Sequence, residues 1–76
     1  MRAEVTDNMP LRRRYTLVAE PVAGAFHITV RELPRTWTVA FGRDQLEQRG
    51  RERIALDLGC HPSDFDVRLI EVEPGA

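Results

Sequence analysis

Seventy-six residues are enough for one small domain with one hydrophobic core and too few for a second. A formal net charge of −1 argues against a general polyanion binder, although all 11 basic residues are arginines. No apolar run reaches the length of a membrane span, the N-terminus carries no signal-peptide core, and a lone cysteine, Cys60, excludes an internal disulfide.

These features point to a protein of a reducing cytoplasm. A domain this small buries only about 60% of its unfolded surface, so self-association would add to its stability.

Residues 1–13 read as a flexible N-terminal tail, polar and patternless as far as Leu11, with Pro10 near its end. Residues 14–73 read as a single domain. Arg14 to Val22 alternates as a strand, with Tyr15, Leu17 and Ala19 on one face and Thr16, Val18 and Glu20 on the other. Pro21-Val22-Ala23-Gly24 carries turn chemistry. Ala25 to Leu33 is a second strand, Phe26, Ile28 and Val30 opposing His27, Thr29 and Arg31, so the two make a hairpin. Pro34 punctuates. Thr36 to Phe41 is a third strand in which Trp37, Val39 and Phe41 oppose Thr36, Thr38 and Ala40.

The stretch from Gly42 to Gly59 carries the one clear helical pattern. Leu46, Gly50, Ile54 and Leu58 recur every fourth residue with Ala55 beside them, and Arg49, Arg51, Glu52 and Asp57 make the opposite, solvated side. Asp44 and Glu47 have capping-box spacing, Gly59 supplies a left-handed stop, and Pro62 forbids continuation. Phe65 to Glu73 is the fourth strand, with Phe65, Val67 and Leu69 on one face and Ile70 and Val72 on the other.

The order β-β-β-α-β predicts an α+β fold. Three sequential strands form an antiparallel meander, and a right-handed crossover places the fourth strand beside the first, in the order 3-2-1-4. One helix covers one face of such a sheet. Apolar residues left over, Tyr15, Trp37, Ile70 and Val72, are the candidate partner or dimer interface, with Trp37 the best single hot spot.

Strand-turn-strand followed by Glu32-Leu33-Pro34, then Thr38, then Leu46-x-x-x-Gly50-x-x-x-Ile54 resembles the HicB antitoxin family. Members of that family show an acidic-Leu-Pro-Gly-Cys-x-Thr segment before an Ala-rich amphipathic helix. Here Arg35 and Thr36 replace the Gly-Cys, and Gly50 and Arg53 stand where Ala is common. The resemblance implies a truncated ribonuclease H-like domain and a homodimer or larger oligomer. It also implies a bacterial toxin–antitoxin system, in which the chain covers the RNA-binding and catalytic surface of a small HicA-type mRNA interferase. The family's C-terminal DNA-binding module has no counterpart before Ala76, so DNA binding is not expected of these residues.

No catalytic motif, cofactor loop or metal-ligand spacing stands out, so neither enzyme activity nor a cofactor is expected. The alternative is a nucleic-acid-binding or metal-dependent nuclease domain of ribonuclease H-like fold. It would use Arg12, Arg13 and Arg14 on phosphates, or Glu20, Asp44, Glu47 and Glu71 around a hard cation. Leu17 and Val18 occupy the middle of the first strand, where such nucleases carry a carboxylate. His27, Cys60 and His61 have no second pair with which to complete a zinc site.

Overall fold

A computed structural model describes residues 12–73. The tail expectation for residues 1–11 lies outside that range. Arg12 and Arg13, assigned to the tail, are tied to the domain. The Arg12 guanidinium donates to the carbonyls of Ser63 and Phe65 and pairs with Asp66 at 3.2 Å, and the Arg13 carbonyl accepts from the Asp66 amide.

The elements are β1 (Arg14–Val22), β2 (Ala25–Val30), β3 (Leu33–Ala40), a 3₁₀ turn (Arg43–Gln45), α1 (Leu46–Leu58) and β4 (Asp66–Glu71). They build one α+β domain whose sheet runs β3-β2-β1-β4, antiparallel between β1 and β2 and between β2 and β3, parallel between β1 and β4. That is the topology expected from the element order. The β1–β2 turn has positive φ at both Ala23 (51°) and Gly24 (82°), the backbone of a primed hairpin turn matched to strand twist.

The bounds of the second, third and fourth strands differ from the sequence expectation. The second strand ends at Val30 and the third begins at Leu33, because the chain reverses at Arg31-Glu32 rather than at Pro34. Pro34 therefore lies inside a strand, which is tolerated because β3 is an edge. The last strand is confined to Asp66–Glu71.

The proline sits in a bulge with a large consequence. Val30 pairs with Leu33 and Thr29 with Trp37, so β3 advances four residues (33 to 37) while β2 advances one (30 to 29). The odd number of inserted residues inverts the alternation. Leu33 packs against the core, whereas Trp37 emerges on the other face, 56% exposed.

Registered partners share a face, so Leu17, Val30 and Leu69 belong to one side together with Ala19, Ile28 and Phe26. On this side lies α1, burying Leu46, Gly50, Ile54 and Ala55 against Leu17, Ile28, Val30 and Ala40. Gly50 sets the depth of that contact. A Cβ there would stand 2.5 Å from Leu17 Cδ1 and 2.8 Å from Cδ2, closer than packed carbons approach.

The ends of α1 depart from expectation in one respect. Asp44 and Glu47 form no capping box: the 3₁₀ turn intervenes, Gln45 precedes the α-helix without a side-chain cap, and Glu47 pairs with Arg51 at 2.9 Å. The C-terminus stops as expected, Gly59 adopting φ 70° while the Gly59 and Cys60 amides both donate to the Ala55 carbonyl.

The side expected to be solvated does more than face water. Arg51 donates to the Pro62 and Phe65 carbonyls at 2.9 Å and stacks over the Phe65 ring. Asp57 accepts from the buried Thr36 hydroxyl at 2.8 Å, and Arg49 donates to the Val39 carbonyl. These residues flank the apolar stripe, and long side chains reach from there to the loops and to the β3 edge.

Candidate interaction surface

The sheet face opposite α1 carries no covering element among the described residues. By register, β1 contributes Thr16, Val18 and Glu20 to it, β2 contributes His27 and Thr29, β3 contributes Trp37 and Val39, and β4 contributes Arg68 and Ile70. Trp37 stands beside Thr29, its indole 5.6 Å from the His27 ring at a 50° tilt. Val39 next to it on β3, Val18 on β1 and Ile70 on the far strand β4 are half-buried across the same face, and Val72, 39% exposed, continues the apolar strip along β4.

One end of this face is basic. Arg68 on β4 and Arg31 in the β2–β3 turn flank Thr16, with Arg14 one pleat away on β1. None of the three guanidiniums has an ion pair among the described residues. Thr16 itself is buried under a clamp. The Arg31 amide still donates to the Thr16 carbonyl at 2.9 Å, but the chain turns there and offers the Thr16 amide no strand carbonyl, so the Glu32 carboxylate takes that place. It accepts from the amide at 2.7 Å and from the hydroxyl at 2.8 Å. Desolvation alone would push the Glu32 carboxyl up. The two Thr16 hydrogen bonds, with help from its own amide and from Arg31, outweigh it and hold the group below its ordinary value.

The four expected interface residues divide. Trp37, Ile70 and Val72 lie on the uncovered face. Tyr15 does not: it is 6% exposed in the core beneath α1, edge-to-face with Phe65 at 5.4 Å, and its hydroxyl beside Arg13 raises the pKa of that guanidinium. Tyr15 shares its side of β1 with Leu17, and the loop before β4 supplies Phe65 as its lid.

Arg12, Arg13 and Arg14 do not form one strip. Arg12 is consumed by the loop leading into β4, Arg13 leans to Tyr15, and Arg14 alone joins the uncovered face. The carboxylates are dispersed as well. Glu20 pairs in register with His27 on the uncovered face, whereas Glu71, the register partner of Ala19, lies on the α1 side and binds Arg43 at 3.0 Å. Glu47 is held by Arg51. Among the described residues no three His, Cys, Asp or Glu side chains converge as a cation site.

Cys60 is exposed, and His61 closes its own loop, Nδ1 lying 2.8 Å from Ser63 Oγ while its amide donates to Asp64.

The chain matches no family model, no curated protein and no solved structure. Its described residues include no helix long and apolar enough to cross a membrane.

Sequence reasoning missed two parts of this surface. The Thr16–Glu32 clamp needed knowledge that the turn falls at Arg31-Glu32, and the basic cluster needed the β1–β4 register that sets Arg68 beside Thr16. The signal for the second was present in the alternation of Arg68 with Val67 and Leu69.

Proposed function

We propose that the chain is a HicB-like antitoxin or a regulatory relative, acting by contact with a small HicA-type mRNA interferase rather than by chemistry of its own. The observation that carries this reading is the uncovered sheet face, with Trp37 more than half exposed on its β3 edge beside Val39 and an apolar row running through Val18 to Ile70 and Val72 on the β4 side. A large exposed aromatic held by a strand on a face that carries further apolar side chains is the profile of an interface hot spot. The resemblance carried by Glu32-Leu33-Pro34, Thr38 and the Leu46-Gly50-Ile54 helix supplies the class of partner.

The test is a binding and inhibition assay with the purified HicA-type protein from the same cell. The chain is expected to form a stable complex and to stop RNA cleavage. Trp37→Ala is expected to weaken the complex about 30-fold, corresponding to about 2 kcal/mol, with no change in fold. A HicA-type protein that cleaves RNA equally well with and without the chain sinks the reading.

A second reading rests on the same face. Exposed Trp37 and half-buried His27, with Arg14, Arg31 and Arg68 at one end of the face, resemble the stacking-plus-cation platforms that hold single-stranded nucleic acid. It requires binding to single-stranded RNA that falls steeply with salt and is lost on replacing Arg31 and Arg68.

A further inference from the structure

We propose that the free edge of β4 pairs antiparallel with β4 of a second copy of this chain, joining two four-stranded sheets into one of eight. The Asp66 and Val72 amides donate to the Arg13 and Ala19 carbonyls of β1, so alternate residues from 66 to 72 point their backbone groups inward. Val67, Leu69 and Glu71 therefore point theirs outward, and no described group pairs with those amides and carbonyls.

The side chains along this edge are left bare on both faces. On the α1 side Leu69 is 38% exposed, because the helix packs most heavily on β3 and only thinly on β4. On the other side Ile70 is half-buried and Val72 is 39% exposed. A parallel strand apolar on both faces is ordinarily an interior strand. The opposite edge of the sheet is blunted by Pro34, by the bulge around it and by Arg49, which occupies the Val39 carbonyl. Only the β4 edge invites an added strand.

The occupant follows from register. A two-fold axis perpendicular to the sheet keeps both α1 helices on one side and requires partners of equal parity. Placing Leu69 opposite Leu69 of the second copy sets Val67 against Glu71, Arg68 against Ile70 and Asp66 against Val72. Every outward-pointing residue of β4 then meets an outward-pointing one, and no like charges stand directly opposite. Sliding the pair by one step brings Arg68 against Arg68. Sliding it the other way sets Leu69 against Glu71 and Val67 against Glu73, a carboxylate opposite each apolar side chain of the α1 side. The edge is thus best matched to itself with Leu69 on the axis. This proposal does not rest on the antitoxin reading, which concerns the sheet face around Trp37.

Light scattering on the full chain, over a range of concentrations, is expected to give twice 8.7 kDa. Amide exchange is expected to protect Val67, Leu69 and Glu71 in step with the dimer fraction. Leu69→Lys places two cations on the axis and is expected to return the mass to that of one chain. Glu71→Pro removes an outward amide while sparing the bonds to β1, and is expected to do the same with the folded circular-dichroism spectrum kept. Glu71→Ala, which loses only the exposed ion pair with Arg43, and Trp37→Ala are expected to remain dimeric.

A wild-type chain that stays monomeric overturns the proposal. So does a dimer that survives both Leu69→Lys and Glu71→Pro. Protection of the three amides at the mass of one chain assigns the edge to residues 1–11 of the same molecule and overturns it too.

Discussion

Three residues carry much of the packing of this small fold. Glu32 replaces a missing strand at the Thr16 amide, and its lowered pKa ties that clamp to pH. A carboxyl whose folded pKa lies below its unfolded value stabilises fully above the unfolded value, 4.5, and loses that contribution as pH falls through the lower, folded one. Glu32→Gln is expected to melt below wild type at pH 7, with the gap narrowing as the pH drops below about 4.5, followed by thermal melts across that range. Arg51 satisfies two carbonyls of the segment that leads into β4. Arg51→Ala strands them and is expected to lower stability by about 1–3 kcal/mol in urea titrations. Gly50→Ala improves helix propensity by about 1 kcal/mol but drives a methyl into the fully buried Leu17, where overpacking costs about 1–3 kcal/mol. The expected net effect is a loss of about 1 kcal/mol, read from the denaturant midpoint.

At the scale of elements, the turn and the bulge decide what each strand presents. The β1–β2 hairpin asks for positive φ at Ala23, a conformation that costs a non-glycine residue about 1–2 kcal/mol. Asn tolerates it better, and Asn-Gly is the preferred pair for this turn, so Ala23→Asn is expected to raise stability by about 0.5–1 kcal/mol in the same assay. The β3 bulge acts on the surface rather than on stability. By inserting an odd number of residues between Leu33 and Trp37, it sends the first to the core and the second to the uncovered face.

For the whole molecule, one helix laid across one face leaves two kinds of unused surface: the sheet face around Trp37 and the open edge of β4. A small core held by these contacts gains from any partner that binds only the folded state. If copies pair along β4, the melting temperature of the wild-type chain rises with protein concentration while that of Leu69→Lys does not, a comparison that differential scanning calorimetry makes directly. The face and the edge meet at Ile70 and Val72, so paired copies would present a single continuous surface to a further partner.

The amino-acid pattern alone determined the element order, the bounds of β1, the helix stripe of Leu46, Gly50 and Ile54, the stop at Gly59 and the strand order that follows from them. These are matters of local periodicity, turn chemistry and the handedness of a crossover, each written within a few residues. Only the tertiary structure decided that Tyr15 is core, that Arg12 and Arg51 serve the loop before β4, that Glu32 clamps Thr16, and that the Arg12 to Arg14 run is dispersed. Each depends on contacts between residues well separated in the chain, and alternation along a strand tells which residues share a side but not what lies over it.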